Sequence, residues 1–391
     1  MDFDIPEDLN MIQTMIRDFV TNQLKPLERN LLGKAADLSD AVASLPAETE
    51  AELIKMVKDM GLWGVSVPEE FGGAGLGILG NCLIGEELAQ TIVPFTFGDV
   101  TPFLFDCNEN QKQDYFLPAF NRQKAAYLAL MEQGKETDIS SISMTAQKSN
   151  DSYVLSGRKI SLSQRGDDYF AMVFAVTAPD KKPREGITCF LVDKGVPGFS
   201  VVGGEEQQGW QASIRVPLFL AFNNCKVAAE NILGEEGKAL SLGKKWLPQR
   251  RIIRAARCVG AAHRILEEAT LQAQNWTAFG QPISKRPSIQ AALADIAANI
   301  HAARLMIYEA AWKGDKGESI QREAAMVKMF ATQMLHDMAD RATHVWNGPP
   351  VIAGLPMDRL CRSATGTSAV EYGLDLQRNL VAADILKGLR V

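Results

Sequence analysis

The sequence is poor in the residues that build metal centres and disulfide frameworks. Its 391 residues include four histidines and six cysteines, and no two cysteines form a C-x-x-C pair. These features argue against structural zinc and against a disulfide framework, and they indicate a reducing compartment. We predict no metal site, and we interpret the histidines as packing or surface residues. The cysteines are scattered, at Cys82, Cys107, Cys189, Cys225, Cys258 and Cys361.

Long apolar runs and an excess of positive charge are also missing. No apolar run approaches the roughly 18 residues of a membrane span, and the acidic start Met1-Asp2-Phe3-Asp4 is unlike a signal or transit peptide. The 41 Lys and Arg against 47 Asp and Glu leave a net charge of −6, a poor basis for binding nucleic acid. We therefore expect a cytoplasmic protein that acts on small molecules, with neither a membrane span nor a nucleic-acid partner.

Hydrophobic periodicity divides the chain into three parts. Apolar residues recur with a helical period up to about residue 120 and again after about residue 236, while short β-type runs lie between them. This order lacks the βαβ alternation of a nucleotide-binding parallel sheet. We predict an α+β multi-domain fold with an N-terminal helical domain at 1–121, a central antiparallel β-barrel or sandwich at 122–235, and a C-terminal helical bundle at 236–391.

Local signals predict several element boundaries. Asp4 can cap a first helix that has Pro6 in its first turn, and Gly61 is a natural end for the second helix. In the central part, short runs rich in β-branched and aromatic residues alternate with polar or glycine-bearing segments. These runs predict strands at 126–131, 141–146, 153–155, 169–176, 187–192, 199–202 and 214–222.

Three glycines, Gly75, Gly77 and Gly80, satisfy the pattern G-x-G-x-x-G. A dinucleotide-binding loop needs a strand before this pattern and a helix after it. Here the preceding segment 67–73 reads as a turn that leaves a helical segment. We therefore interpret the glycines as a connector in which some positions need a positive φ.

Six cations lie within 14 residues of an otherwise acidic chain. Taken singly, each is best interpreted as part of a solvated helix face. As a group, they could hold a phosphorylated ligand or an acidic partner. The group consists of Lys244, Lys245, Arg250, Arg251, Arg254 and Arg257.

Seven short segments together resemble the acyl-CoA dehydrogenase family. No one of these motifs is specific, but their order and spacing match the family over almost the whole chain. This resemblance implies the family's fold, in which a C-terminal four-helix bundle follows the helical and β-domains. The segments are 67–75 (“PEEYGGAG” in the family), 153–159 (“YVLNGxK”), 226–234 (“KVPAENLLG”), 278–283 (“xFGKPI”), 290–295 (“QxxLAD”), 359–362 (“ERLYRD”) and 376–379 (“IQRN”).

The resemblance implies a definite chemistry. In this family a carboxylate removes the α-proton of an acyl thioester while the β-hydride moves to flavin N5, which leaves a trans-2-enoyl-CoA. Counting without a gap from Arg362 to Arg378 places the base of the short- and medium-chain branches on Glu371. The position that supplies the base in the long-chain and isovaleryl branches reads Arg250 here. The substrate-binding residues that the resemblance implies are Asp138, Arg251 and Tyr372.

The resemblance also implies an FAD site, part of which belongs to the neighbouring subunit, and several of its positions depart from the family. A flavin-bonding Thr reads Met131, which can donate no hydrogen bond, and a flavin-covering Trp reads Ser161. A pyrophosphate-bonding Arg reads Trp276, a loss that costs on the order of 1.5–3 kcal/mol. The cofactor-binding residues that the resemblance implies are Leu130, Met131, Glu132, Thr137, Ser161, Leu162, Ser163, Trp276, Phe279, Gly348 and Gly373.

These departures leave several interpretations open. The chain is either a divergent homo-oligomeric dehydrogenase, dimeric or tetrameric, or a flavin-poor or non-catalytic subunit of a hetero-oligomer in which Glu371 completes a site formed with a different chain. A third interpretation is an oxygen-using flavin monooxygenase, which shares the fold without needing Glu371. The implied partners are an acyl-CoA substrate and an electron-transfer flavoprotein as acceptor. The acyl group stays open among straight-chain, branched, aromatic and steroid-derived thioesters.

Overall fold

The computed structural model of the chain has helices at both ends and a sheet in the middle. Helices occupy the ranges up to residue 120, strands dominate between residues 125 and 233, and long helices follow from residue 247. This is the predicted α+β order. The residues that the structure describes are 4–33, 45–134, 141–163, 166–202, 216–346, 356–367 and 373–388.

The N-terminal part is helical. Its α-helices are α1 (Glu7–Phe19), α2 (Glu28–Gly33), α3 (Ala47–Asp59), α4 (Gly77–Leu88), α5 (Glu109–Gln111) and α6 (Leu117–Phe120). The apolar face of α1 is buried at Ile16 and Phe19, as its period predicts. The N-cap of α1 is Pro6 rather than the predicted Asp4. After α3, Gly61 adopts φ +71°, which confirms the predicted helix end.

A sheet fills the central part. Its strands are β1 (Ala125–Ala129), β2 (Thr145–Ser149), β3 (Ser152–Ser163), β4 (Tyr169–Val176), β5 (Ile187–Asp193), β6 (Phe199–Val201), β7 (Val216–Ala228) and β8 (Ile232–Leu233), with a short helix α7 (Pro183–Gly186) before β5. The order is β6-β7-β3-β2-β4-β5-β8, and β1 pairs with β4. Most pairs are antiparallel, as predicted, but β1 and β2 each run parallel to β4. The sheet is therefore mixed.

The strand predictions succeed where the run is fully buried. The prediction at 169–176 coincides with β4, which is buried along almost its whole length. The prediction at 141–146 is mostly wrong, because β2 begins only at Thr145. The backbone N–H groups of Ser143 and Met144 donate to the carboxylate of Glu132 instead of to a neighbouring strand.

The C-terminal part consists of long helices. They are α8 (Leu247–Asn275), α9 (Pro287–Asp315), α10 (Gln321–Trp346), α11 (Pro356–Thr367) and α12 (Leu374–Leu386). A two-stranded hairpin, β9 (Thr277–Ala278) and β10 (Gln281–Pro282), joins α8 to α9. Helix α10 packs against α8, α9 and α12, and the contacts bury mostly alanine, isoleucine and methionine side chains.

Helix α8 is fixed against the N-terminal part. Gly260 of α8 lies so close to α4 that a Cβ atom on it would be 1.9 Å from the carbonyl oxygen of Glu86. Arg264, farther along α8, donates from Nη2 to Glu28 Oε2 at 3.0 Å. Both residues of this ion pair are nearly excluded from solvent. The middle of α8 therefore has a fixed position relative to α4 and α2.

The prediction that the G-x-G-x-x-G segment is a connector is confirmed only in part, because Gly75 precedes α4 whereas Gly77 and Gly80 lie in its first turn. Gly75 and Gly77 have φ values of +61° and +69°, which favour glycine. The first N–H groups of α4, on Ile78 and Leu79, donate to the two carboxylate oxygens of Asp315, at 2.6 and 2.9 Å. A carboxylate from α9 thus occupies the position that a phosphate takes in a dinucleotide-binding loop.

Two predictions concern the absence of membrane-spanning helices and of metal sites. Within the described ranges, no helix is both long and apolar enough to cross a membrane, and no group of three or more histidine, cysteine, aspartate or glutamate side chains is arranged to hold a metal ion. All six cysteines are free thiols, and five of them are buried. Burial raises the pKa of the Cys107 thiol to about 12.

Candidate active site

A three-residue segment after β1 is held along strand β3. The N–H of Ile160 donates to the carbonyl oxygen of Met131 at 2.8 Å. Nζ of Lys159 donates to the carbonyl oxygen of Leu130 at 3.2 Å and to Oε1 of Glu132 at 2.9 Å. The structure therefore brings Leu130, Met131 and Glu132 next to the strand that carries Ser161.

The Glu132 carboxylate is the electrostatic anchor of this segment. It accepts hydrogen bonds from the N–H and hydroxyl groups of Ser143, from the N–H of Met144 and from Lys159 Nζ. Burial alone would raise the pKa of Glu132, but the hydrogen bonds from Met144, Lys159 and Ser143 outweigh it and lower the pKa to about 2. Glu132 is thus a fixed, compensated anion, and its oxygens are used within the protein.

Met131 is the side chain of this segment that faces outward. Leu130 and Glu132 are 7% exposed, whereas Met131 between them is partly exposed. A thioether makes favourable contacts with aromatic rings, and the nearby Ser161 hydroxyl, fully buried on β3, can donate a hydrogen bond. The only carboxylate of the segment, on Glu132, already has its hydrogen-bond donors. The segment therefore fits the ring system of a flavin through apolar contact with Met131 rather than through side-chain hydrogen bonds from Met131.

Strand β3 continues beyond Ser161 alongside β7. Leu162 pairs with Pro217 and Ser163 pairs with Val216. Leu162 and Ser163, two of the predicted cofactor-binding residues, therefore lie on the same strand as Ser161, at the carboxyl end of that strand. Their side chains are not among those that the structure describes. The strand places all three within a short distance of the 130–132 segment.

The first turns of α8 carry arginines beside the segment that follows α4. Nη1 of Arg250 donates to the carbonyl oxygen of Val100 at 3.2 Å. Arg251, predicted to bind substrate, is 8% exposed. Arg254 and Arg257 follow on the next turns and are partly exposed. The positively charged stretch is therefore a partly buried helix face here, whereas Lys244 and Lys245, which precede α8, are exposed.

Trp276 and Phe279 lie far from this region in the same chain. Trp276 precedes β9 and Phe279 lies in the turn between β9 and β10, and their exposed fractions are 46% and 95%. The guanidinium of Arg286 lies over the Phe279 ring, 5.2 Å from its centroid. At 1.5 Å per residue, Arg251 and Trp276 are roughly 37 Å apart along the helix. The structure therefore separates these two predicted cofactor residues from the first turns of α8.

Five predicted site residues lie outside the described residues. They are Thr137, Asp138, Gly348, Glu371 and Tyr372. Gly373 is described and immediately precedes α12, with a φ of −47° that any residue adopts. The roles of these residues stay predictions from the resemblance.

Sequence reasoning missed the role of Lys159. This lysine is 1% exposed, in a strand whose other buried residues are uncharged. Its signal was present in the sequence, since Lys159 is the lysine that closes the segment resembling “YVLNGxK”. A charged residue at an inward-facing strand position predicts a buried partner, and that partner is Glu132.

The fold defines a class: a three-part α+β protein with a central sheet between two helical parts. Family models for the N-terminal, middle and C-terminal domains of acyl-CoA dehydrogenase match residues 6–124, 128–219 and 240–386. An acyl-CoA dehydrogenase of Bacillus subtilis is 31% identical over 98% of this chain and 99% of its own. The (R)-benzylsuccinyl-CoA dehydrogenase of Thauera aromatica is 30% identical over 99% and 97%.

A solved structure gives the same result. The butyryl-CoA dehydrogenase of Megasphaera elsdenii superposes with a TM-score of 0.82 at 29% identity, covering 99% of this chain and all of that one. The chain belongs to the acyl-CoA dehydrogenase family. It is accordingly an oxidoreductase, of a family whose members oxidise acyl-CoA thioesters with FAD.

Proposed function

We propose that the chain catalyses the FAD-dependent α,β-desaturation of an acyl-CoA thioester, with Glu371 as the base. The observation that supports this most directly is the family match over 240–386, which includes residue 371. Within that match, the ungapped spacing between Arg362 and Arg378 gives Glu371 the register of the family's base. Arg250 occupies the alternative base position and cannot accept a proton at neutral pH.

The chemistry assigns a task to each group. The α-proton of a thioester is too weakly acidic for a solvated carboxylate, so the base needs a desolvated position, and the thioester carbonyl needs hydrogen bonds that stabilise the enolate. Glu371 accepts that proton. Asp138, Arg251 and Tyr372 contribute to the substrate site. FAD, when bound, supplies the acceptor for the β-hydride.

The proposed cofactor site has two parts. Leu130, Met131, Glu132 and Ser161, with Leu162 and Ser163 farther along β3, hold the flavin end within one chain. Trp276 and Phe279 lie at the far end of α8, roughly 37 Å along the helix from Arg251, so we assign them to the site of a neighbouring subunit. Thr137, Gly348 and Gly373 complete the set of proposed contacts.

Replacing Glu371 tests the base directly. In Glu371→Gln we expect turnover of a substrate acyl-CoA to fall by about 10²- to 10⁴-fold, as for loss of a general base. The Kd for the same acyl-CoA, measured by calorimetry, should change by less than about threefold, since glutamine keeps the shape of the side chain. Asp375→Asn is the matched control, because Asp375 is an exposed acid four residues farther on, paired with Arg378. Activity equal to the wild type in Glu371→Gln would remove this assignment.

A second candidate function is favoured by Met131 and Trp276. Each replaces a side chain that donates a hydrogen bond to FAD in the family, so we also consider a flavin-poor subunit that completes a site with a different chain. The visible absorption spectrum of the purified chain, with and without added FAD, separates the two. Flavin bands that bleach with an acyl-CoA support the dehydrogenase, whereas a colourless chain that takes up no FAD supports the hetero-oligomer.

We propose four further properties of the chain. They are an electron-transfer flavoprotein as acceptor, a homo-oligomeric state, a cytoplasmic location, and the domain ranges 1–121, 122–235 and 236–391. The exposed aromatic side chains of Trp276 and Phe279 support an oligomer, because apolar side chains exposed together mark contact surfaces.

A further inference from the structure

Two arginines of helix α8, Arg257 and Arg264, differ in their ion pairs. Arg264 is bonded to two carboxylates, through Nη2 to Glu28 at 3.0 Å and through Nε to Glu268 at 2.8 Å. Arg257, two turns earlier, has no carboxylate within ion-pair distance among the residues that the structure describes. A partly buried guanidinium without a counter-ion is unfavourable, and a bound anionic ligand can provide that counter-ion.

The surroundings of Arg257 give it little compensation. Its stem packs against α4, where a Cβ atom on Gly85 would be 3.3 Å from Arg257 Cγ. Burial lowers the pKa of Arg257, the charge of Asp99 raises it, and the charge of Arg254 lowers it. Asp99 is itself exposed and accepts a hydrogen bond from the Ser66 hydroxyl at 3.0 Å.

Three arginines form one face of α8. Arg250, Arg254 and Arg257 have the spacing i, i+4, i+7, which puts their side chains on one side of a helix. Arg250 reaches the carbonyl oxygen of Val100, and Arg257 is within electrostatic reach of Asp99. This arginine face therefore lies against the segment around residues 99–100, with Arg254 about 6 Å and Arg257 about 10 Å farther along the helix than Arg250.

We propose that the arginine face of α8 binds a carboxylate group on the acyl part of the substrate, so that the substrate is the CoA thioester of a dicarboxylic acid. This inference rests on the proposed function, in which Arg250 stands where other branches place their base and so lies near the α-carbon. A carboxylate that reaches Arg254 and Arg257 is then a few carbon atoms beyond the β-carbon. Guanidinium groups suit this task because they bind carboxylates through two parallel hydrogen bonds.

The test compares two thioesters that differ only in the terminal group. Hexanoyl-CoA and adipoyl-CoA have the same number of acyl carbons, and adipoyl-CoA ends in a carboxylate. Calorimetry on the full chain with added FAD gives the Kd of each, and dye reduction gives turnover. We expect adipoyl-CoA to bind at least about tenfold more tightly, as one charge-assisted hydrogen-bonded pair provides.

Variants of Arg254 and Arg257 test whether these residues bind the terminal carboxylate. Arg254→Gln and Arg257→Gln should weaken adipoyl-CoA binding by about 10- to 100-fold and change hexanoyl-CoA binding by less than about threefold. Arg257→Lys keeps the charge, and partial recovery with it excludes a purely structural loss. Lys244→Gln is the control for general charge, because Lys244 is an exposed cation of the same stretch outside the face.

Each outcome of these measurements supports or contradicts the carboxylate site or the dehydrogenase activity. Equal binding of the two thioesters, or an equal loss for both in the variants, overturns the proposal, and the second result assigns the arginines to the CoA phosphates. Turnover of hexanoyl-CoA without preference for adipoyl-CoA supports the dehydrogenase and overturns the carboxylate site. Tight binding of adipoyl-CoA without turnover of either thioester supports the carboxylate site and contradicts the dehydrogenase.

Discussion

At the scale of single residues, the pairing of Glu132 with Lys159 is the feature that fixes the candidate site. Both side chains are almost fully buried, and the carboxylate also holds the backbone N–H groups of Ser143 and Met144. Removing one member of such a pair leaves the other charge uncompensated, which is far more costly than replacing both. The pair therefore sets the geometry of the 130–132 segment more than it adds to net stability.

We predict that Glu132→Gln lowers the free energy of unfolding by about 3–5 kcal/mol near neutral pH. Because the pKa of Glu132 is lowered to about 2 in the folded chain, its contribution is fully present above the usual pKa of a glutamate and is lost as the pH falls toward 2. Urea unfolding of wild type and variant from pH 7 to pH 3 measures this. The difference should be constant above about pH 5 and shrink below it.

Glu309→Gln is the matched control for Glu132→Gln. It also removes a glutamate from a Glu–Lys ion pair, with Lys313, but Glu309 is exposed at the surface of α9. Exposed pairs contribute about 0–1 kcal/mol. If the two variants lose the same stability, the buried pair does not have the importance given to it here.

At the scale of elements, the start of α4 depends on a side chain from a distant helix. Asp315, at the end of α9, accepts the N–H groups of Ile78 and Leu79, which otherwise have no partner within the helix. A negative charge at this place also complements the helix dipole. One residue thereby joins the N-terminal helices to the C-terminal ones.

We predict that Asp315→Ala lowers the free energy of unfolding by about 1–2 kcal/mol, the usual effect of losing a helix N-cap. Asp337→Ala is the control, because Asp337 is an exposed acid on α10 that bonds only to the side chain of Gln333 among the described contacts. Thermal unfolding of both variants at equal concentration gives the comparison. An equal shift of Tm in the two would contradict the capping role.

The elements also show what a sequence can and cannot predict. The bounds of β4 follow from local composition, since the strand is buried on both faces and its apolar run is unbroken. The late start of β2 could not be predicted, because it depends on Glu132, a residue more than ten positions earlier. In the site, resemblance was enough to select Met131 and Ser161 as candidates. The partner of Lys159 and the isolation of Arg257 needed the tertiary structure.

At the scale of the whole molecule, the described surface carries large apolar side chains that are exposed to solvent in a single chain. Trp276 and Phe279 are exposed beside the β9–β10 hairpin, and Leu376 and Leu380 are exposed on α12. Exposed aromatic side chains of this kind are typical of the centre of protein interfaces. They favour the oligomer that the family resemblance implies.

We predict that the wild type has the mass of a dimer or tetramer in light scattering and that Trp276→Ser with Phe279→Ser lowers it. The reason is the loss of two large apolar contacts at an interface. Leu271→Ser is a control for exposed apolar area, because Leu271 is 54% exposed on α8, before the hairpin. A double variant of unchanged mass would show that the hairpin lies outside the interface.

The length of α8 has a consequence for mixtures of chains. Arg251 near its start and Trp276 after its end serve two different active sites if the proposed arrangement holds, so a defect at one end affects one site and a defect at the other end affects another. Chains with Glu371→Gln, and chains with Trp276→Ala that keep Phe279 for assembly, would each be inactive alone and would then form mixed assemblies in which some sites receive two sound halves. Activity regained on unfolding and refolding the two together would be a genetic complementation carried out in a test tube.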